Sequence, residues 1–199
     1  MRATVQTGNF PGHIAVAPSG NPIFVTNRTS GTVSVIDSGS LAVTNQIDVG
    51  KYPWYICLST DGHIAYVTNI NSSKMTMFST AWLGILDTVH VGNGPWAVVS
   101  NPDPSIDEVY LTNSVDATVM VLSGDGHLER TVSIGTNTNP YEAAISMPYF
   151  KSLLVPNFGA GTLLFYDIKP SGSITRRPTG SITLGGTPTA VTSIPLAGT

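Results

Sequence analysis

An all-β fold built from repeated antiparallel sheets is predicted by three observations in this 199-residue sequence. A proline that follows a glycine-containing turn recurs at Pro11, Pro53, Pro95, Pro140 and Pro188, spaced 42, 42, 45 and 48 residues apart. An asparagine recurs at Asn27, Asn69, Asn113 and Asn157, spaced 42, 44 and 44 residues apart. Between these markers lie short apolar segments separated by turn residues, with no helical period. Two independent markers that agree on one period define a repeat.

The second repeat shows the elements in order. "WYICLS" (54–59) reads as a strand, "TDGH" (60–63) as a turn, and "IAYVTN" (64–69) as the second strand. After "INSS" (70–73) come "KMTMFS" (74–79) and "ILDTVHV" (85–91). The first repeat parses the same way: "HIAVAP", "IFVTN", "TVSVID" and "LAVTNQIDV". Inner strands are apolar on both faces, as in "AVV" (97–99) and "EAAIS" (142–146). A sheet with one wet face would alternate, so these sheets are expected to be covered on both sides. Four-stranded meanders of about 40 residues, stacked face to face around an axis, are the signature of a β-propeller. A solenoid of the same meanders is the rival arrangement. The blades are placed at 11–48, 53–91, 95–134 and 140–184 of a single domain, 1–199.

The motifs sharpen this. The chain carries "VGKYP" (49–53), "VGNGP" (91–95), "APSG" (17–20), "STDG" (59–62), "YVTN" (66–69) and "SGTVSVID" (30–37). In these it resembles the YVTN family of β-propeller repeats over almost its whole length. The resemblance is weaker in the fourth repeat, where "LLVPNFGAG" (153–161) has Pro156 in the threonine position.

The ends do not complete a further blade. "ATVQT" (3–7) aligns with fourth strands and "TAVTSIP" (189–195) with first strands, so a fifth sheet would lack its two middle strands. The chain is accordingly read as a segment of a longer propeller. A closed ring of four blades with two decorating strands, or of five with a thin last blade, are the alternatives. An open array exposes two apolar sheet faces, so self-association is expected.

Composition excludes some functions. The net charge is −3 with 9 Lys and Arg, which leaves no clustered basic footprint for nucleic acid. No run of about 18 apolar residues offers a membrane span. Charged residues are 11% of the chain, below the roughly 25% of ordinary soluble domains, with Thr, Ser, Asn and Gly in their place. That balance points to an extracellular, periplasmic or cell-surface setting, although "MRATVQTGNF" has no apolar signal segment. Cys57 is the one cysteine, so no intrachain disulfide can form, and its run "WYICLS" marks it as a buried small hydrophobe. The sequons "NRT" (27–29) and "NSS" (71–73) are matches expected by chance in so Asn- and Ser-rich a chain.

A site is sought in the loops that gather at one end of the channel: 8–12, 50–54, 92–96, 135–141 and 185–189, together with those opened by the four asparagines. Asn27, Asn69, Asn113 and Asn157 could aim amides at a ligand. A feature of every repeat is more economically structural, with Asn closing its own turn. The residue after each proline varies instead: Gly12, Trp54, Trp96, Tyr141, Thr189. The three aromatics are the binding candidates, since flat rings stack on sugars, quinones or proline-rich peptides; otherwise they plug gaps between blades. Glu142 and His13 stand two residues after their prolines, where they line the channel or are simply solvated. His63, His90 and His127 occupy unrelated repeat positions, so no metal site is expected, and no H-E-x-x-H or G-x-S-x-G motif occurs.

The sequence therefore reads as a non-catalytic binding module that engages a protein, carbohydrate or other small ligand through the loop face, without a cofactor. The alternative is a propeller enzyme, a lactone hydrolase or quinone-dependent dehydrogenase, with Glu142, Asp116 and the asparagines as the only available ligands for a channel metal or cofactor.

Overall fold

The structure is a computed structural model that describes residues 4–135, 138–146, 152–169, 174–184, 186 and 188. It contains four antiparallel four-stranded sheets, each a simple meander. Sheet 1 is β1 (Pro11–Val16), β2 (Ile23–Asn27), β3 (Thr32–Asp37) and β4 (Ala42–Asp48). Sheet 2 is β5 (Pro53–Leu58), β6 (Ile64–Asn69), β7 (Lys74–Ser79) and β8 (Ile85–His90). Sheet 3 is β9 (Pro95–Ser100), β10 (Glu108–Asn113), β11 (Thr118–Ser123) and β12 (Leu128–Ser133). Sheet 4 is β13 (Ala144–Ser146), β14 (Ser152–Asn157), β15 (Thr162–Ile168) and β16 (Ile174–Thr183).

Each turn into a third strand uses one left-handed residue: Gly31, Ser73, Ala117 and Gly161, with φ of 73°, 51°, 54° and 63°. Its carbonyl accepts the N–H of the residue that leaves the fourth strand: Val49, Val91, Ile134 and Leu184, at 2.9–3.0 Å. The turn therefore also fastens the outer strand.

The sheets stack face to face as the apolar inner strands require. Phe24, Val33, Val35 and Ile47 of sheet 1 pack on Ile56, Ala65, Val67 and Phe78 of sheet 2. Tyr66, Met75 and Met77 on the other face of sheet 2 meet Val98, Val109, Leu111 and Leu122 of sheet 3. Tyr110, Val119 and Val121 then meet Leu153, Val155, Leu164 and Tyr166 of sheet 4. Adjacent residues of one strand, such as Tyr66 and Val67, thus serve two interfaces, which is why the middle strands carry no polar alternation. The outer strands β4, β8 and β12 are largely exposed. The arrangement is an all-β propeller of about four blades.

No core cluster joins sheet 1 to sheet 4 among the described residues. Ile14 is 57% exposed, whereas its repeat equivalents Ile56 and Val98 are 1% and 0% exposed beneath the preceding sheet. Two expectations need correction. Residues 4–7 belong to no strand, although 3–7 read as a terminal one. The first strand of the last sheet begins at Ala144 rather than Glu142, preceded by an isolated bridge between Pro140 and Asn157. The other terminal strand, 189–195, lies outside the described residues. No helix among the described residues is long and apolar enough to cross a membrane.

Candidate functional site

The repeat first builds a rigid rim. Before the anchor prolines the chain turns through left-handed residues: Phe10, Tyr52 and Gly94, with φ of 58°, 56° and 64°. The carbonyl just before the proline accepts the N–H of the residue after each marker asparagine. These bonds are Arg28 to Phe10 at 2.9 Å, Ile70 to Tyr52 at 3.2 Å, Ser114 to Gly94 at 2.8 Å and Phe158 to Asn139 at 3.1 Å. Both loop sets are thereby clamped together in all four blades.

The threonine of the refrain ties blade to blade. Thr26 Oγ1 accepts the N–H of His13 at 2.9 Å and donates to the carbonyl of Trp54 at 3.0 Å. Thr68 does the same with Tyr55 at 3.1 Å and Trp96 at 2.8 Å. These hydroxyls fill the irregularities between first and second strands and hold the aromatic residues of the next blade in place.

The asparagines are buried and turned inward. Asn27 Nδ2 donates to Thr32 and Ser34 Oγ atoms, and its Oδ1 accepts the N–H of Gly8. Asn69 Nδ2 donates to the Val49 carbonyl and to Thr76 Oγ1. Asn113 Nδ2 donates to Thr118, and Asn157 Oδ1 accepts from Ala160 N. A Cβ on Gly8 or Gly92 would come within 2.7 or 2.6 Å of the local asparagine side chain. At Gly8 and Gly92 the missing Cβ leaves the space this amide occupies, whereas at Gly50 a Cβ would stand 3.4 Å from Asn69 in ordinary contact.

Above this rim runs a continuous arc of flat groups. Trp54 meets Trp96 with ring centroids 4.7 Å apart, Trp96 meets Tyr141 at 4.3 Å, and Tyr141 meets Phe158 at 5.1 Å. At the other end the Arg28 guanidinium lies 3.8 Å from the Trp54 ring and 5.7 Å from that of Phe10. Five aromatic rings and one guanidinium, drawn from all four blades, form one wall. The rings are half-buried, apart from the exposed Phe10.

The wall borders a cavity of about 420 Å³ at the channel mouth, with Arg28, Trp54, Trp96, His13 and Glu142 around it. His13 and Tyr55 also line a second cavity of about 380 Å³, which passes between the first strands of all four sheets and includes Cys57 and Val99. His13 stacks on Tyr55 with centroids 3.6 Å apart. Its Nδ1 lies 3.1 Å from the carbonyl of Ile56. A carbonyl only accepts, so Nδ1 carries the proton and Nε2 keeps its lone pair. Burial lowers the His13 pKa, with the Ile56 carbonyl partly opposing it, which keeps the ring neutral near pH 7. Burial pushes the Tyr55 phenol up, as does the charge of Glu142. Cys57, expected to be fully buried, is half-buried on this second cavity, and desolvation raises its thiol to about 12, so it stays protonated near pH 7.

The residues singled out in the sequence thus come together: Trp54, Trp96 and Tyr141 in the wall, and His13 and Glu142 at the cavity. His13 and Glu142 are half-buried rather than simply solvated. The aromatics also stack on one another across blades, so filling the wedges and walling a cavity are one arrangement. Sequence reasoning missed Phe10, Arg28 and Phe158. The same repeat alignment, read one residue before the proline and one after the asparagine, would have drawn them out. Asp116 holds a loop, accepting from Asn93 N at 2.7 Å and Nδ2 at 2.9 Å. Among the described residues, no three His, Cys, Asp or Glu side chains gather as metal ligands.

No family model and no curated protein matches the chain. Solved structures do. A hydrazine synthase chain of Kuenenia stuttgartiensis superposes with a TM-score of 0.76 at 22% identity, covering 92% of this chain and 53% of that one. A 6-phosphogluconolactonase-like protein of Bacteroides uniformis gives 0.77 at 17%, covering 90% and 56%. Virginiamycin B lyase of Staphylococcus aureus gives 0.68 at 16%, covering 84% and 55%. The likeness is one of fold, and this chain spans a little over half the length of each.

Proposed function

We propose that this chain is an arc of YVTN-type propeller blades that binds a small, flat-faced ligand at the channel mouth without transforming it, in an extracellular, periplasmic or cell-surface setting. The observation that carries the reading is the wall of Arg28, Trp54 and Trp96 along a 420 Å³ cavity, continued beyond it by Tyr141 stacked on Trp96. Aromatic edges and faces supply apolar contact, while Glu142 and His13 Nε2 accept hydrogen bonds from a ligand. The scarcity of charge and the abundance of Thr, Ser and Asn support the location.

The experiment is a ligand panel of sugars, quinones and proline-rich peptides, read by tryptophan fluorescence in a Trp82→Phe background. Trp82 is 64% exposed on an outer loop, so its removal leaves Trp54 and Trp96 as reporters. A saturable change that Trp96→Ala abolishes is the expected result. Unchanged emission across the panel would refute mouth binding.

A second reading has one observation in its favour. The neutral His13, its tautomer fixed and its Nε2 available beside Glu142, is a competent base. The lactonase-like and lyase proteins of the same fold give it context but share too little sequence to carry it. Turnover of a bound compound, seen by mass spectrometry and lost in His13→Ala, would favour this enzyme reading.

A further inference from the structure

Arg28 is the anomaly of the rim. Its equivalents in the other three blades are Ile70, Ser114 and Phe158, and all four positions make the same backbone bond to the pre-proline carbonyl. The fold therefore needs no cation there. Arg130, by comparison, pairs with both Glu108 and Glu129. Among the described residues Arg28 has no ion-pair partner, which Arg130 has; the Nε of each is buried without a hydrogen bond. A half-buried charge without a counter-charge is unfavourable, and so is a buried donor without an acceptor.

Two rings lie against the guanidinium, that of Trp54 at 3.8 Å and that of Phe10 at 5.7 Å. The N–H donors of a guanidinium lie in its plane, so stacking leaves the edge as the binding surface. That edge suits a planar, two-oxygen acceptor. Phe10 stands at the left-handed turn position that Tyr52 and Gly94 occupy in the next two blades, so the repeat's own turn presents its ring to Arg28.

We propose that the mouth cavity takes a carboxylate carried on a flat ring, with the carboxylate on the edge of Arg28 and the ring against Trp54 and Trp96. The inference rests on the mouth-binding reading above and adds the ligand's charge. Glu142 on the same cavity disfavours a second negative charge and selects a single acid group. Both aromatic acids and sugar acids present this chemistry.

Titration calorimetry on the whole chain with two matched pairs tests it: benzoate against benzamide, and glucuronate against glucose. At least one acid should bind about tenfold or more tightly than its neutral twin. Which pair responds tells an aromatic from a sugar acid. Arg28→Gln should lower binding of the acid far more than that of its neutral twin and so erase the preference, while Arg28→Lys, which keeps the charge but loses the fork, should restore part of it. Equal binding of acid and neutral twin, or a preference that survives Arg28→Gln, overturns the carboxylate inference while mouth binding stands. Binding of none of the four overturns the carboxylate inference, and mouth binding then stands or falls with the fluorescence panel.

Discussion

Thr68 donates its hydroxyl to the main-chain carbonyl of Trp96, 28 residues further along and in the next blade, at 2.8 Å. The same oxygen accepts the N–H of Tyr55 within its own blade. One fully buried hydroxyl therefore sets the first strand of one sheet and the aromatic rim of the next.

Thr68→Val keeps the shape and removes both bonds. Two buried backbone groups lose their partner, at a cost of about 1–3 kcal/mol. For a chain of this size the melting temperature should fall by about 2–4 °C per kcal/mol. Scanning calorimetry showing a melting point unchanged within error would disprove the inter-blade role.

The left-handed turn residues give a second test. Gly31 and Gly161 are suited to their positive φ, while Ser73 and Ala117 hold the same position with a Cβ. An L-residue there is strained by about 1–2 kcal/mol, part of which glycine gives back through chain entropy. Ser73→Gly should raise the urea midpoint slightly. Gly31→Ala should lower it clearly, because the new Cβ would sit 2.8 Å from the carbonyl oxygen of Gly50. The opposite order of midpoints would contradict this account.

Much of the scaffold was legible because turn residues and two-sided apolar strands mark it locally. The strands read at 64–69 and 74–79 are those observed. The fourth sheet was less legible at its inner edge. In the first three blades the refrain threonine accepts the N–H two residues after the proline. Pro156 offers no such hydroxyl, and there the regular ladder starts only at Ala144. Trp54, Trp96 and Tyr141 were visible as variable positions in a fixed register. The contact of Arg28 with Trp54 was not, because stacking across a blade boundary depends on how neighbouring sheets are rotated, which no local pattern encodes.

His13 makes stability depend on pH. Its pKa is lowered in the fold by burial, whereas the unfolded chain titrates near 6.5. As the pH falls through that value the unfolded state takes up the proton first, so this part of the stability is present above it and is lost below. Asp37, held near 2 by the backbone N–H and hydroxyl of Ser40 and by Asn21, acts only in a separate window below about pH 4. Asp125, held near 2 by Ser123 and His127, acts in that same acid window. Glu108, whose carboxyl burial raises, acts with the opposite sign above its ordinary value but equally in both proteins, so between about pH 7 and about pH 5 the wild type should lose melting temperature relative to His13→Asn. Parallel melting curves for the two would show that His13 is not the group responsible.

The outward face of sheet 1 predicts how the chain behaves in solution. Ile14 occupies the position that Ile56 and Val98 fill in sheets 2 and 3, where the preceding sheet buries it. Here it stands exposed beside Val16 on the same strand, at 57% and 52% exposure. This chain spans a little over half the length of the solved structures it superposes on. An uncovered apolar sheet face associates with another surface. The 199-residue chain should therefore sediment above its monomer mass of 20.9 kDa, increasingly so with concentration. Ile14→Asp, which places a charge on that face without touching the three inter-sheet cores, should shift the population towards monomer with little change in melting temperature. A wild-type chain that sediments as a clean monomer across the whole concentration range would mean that this face is not a contact surface.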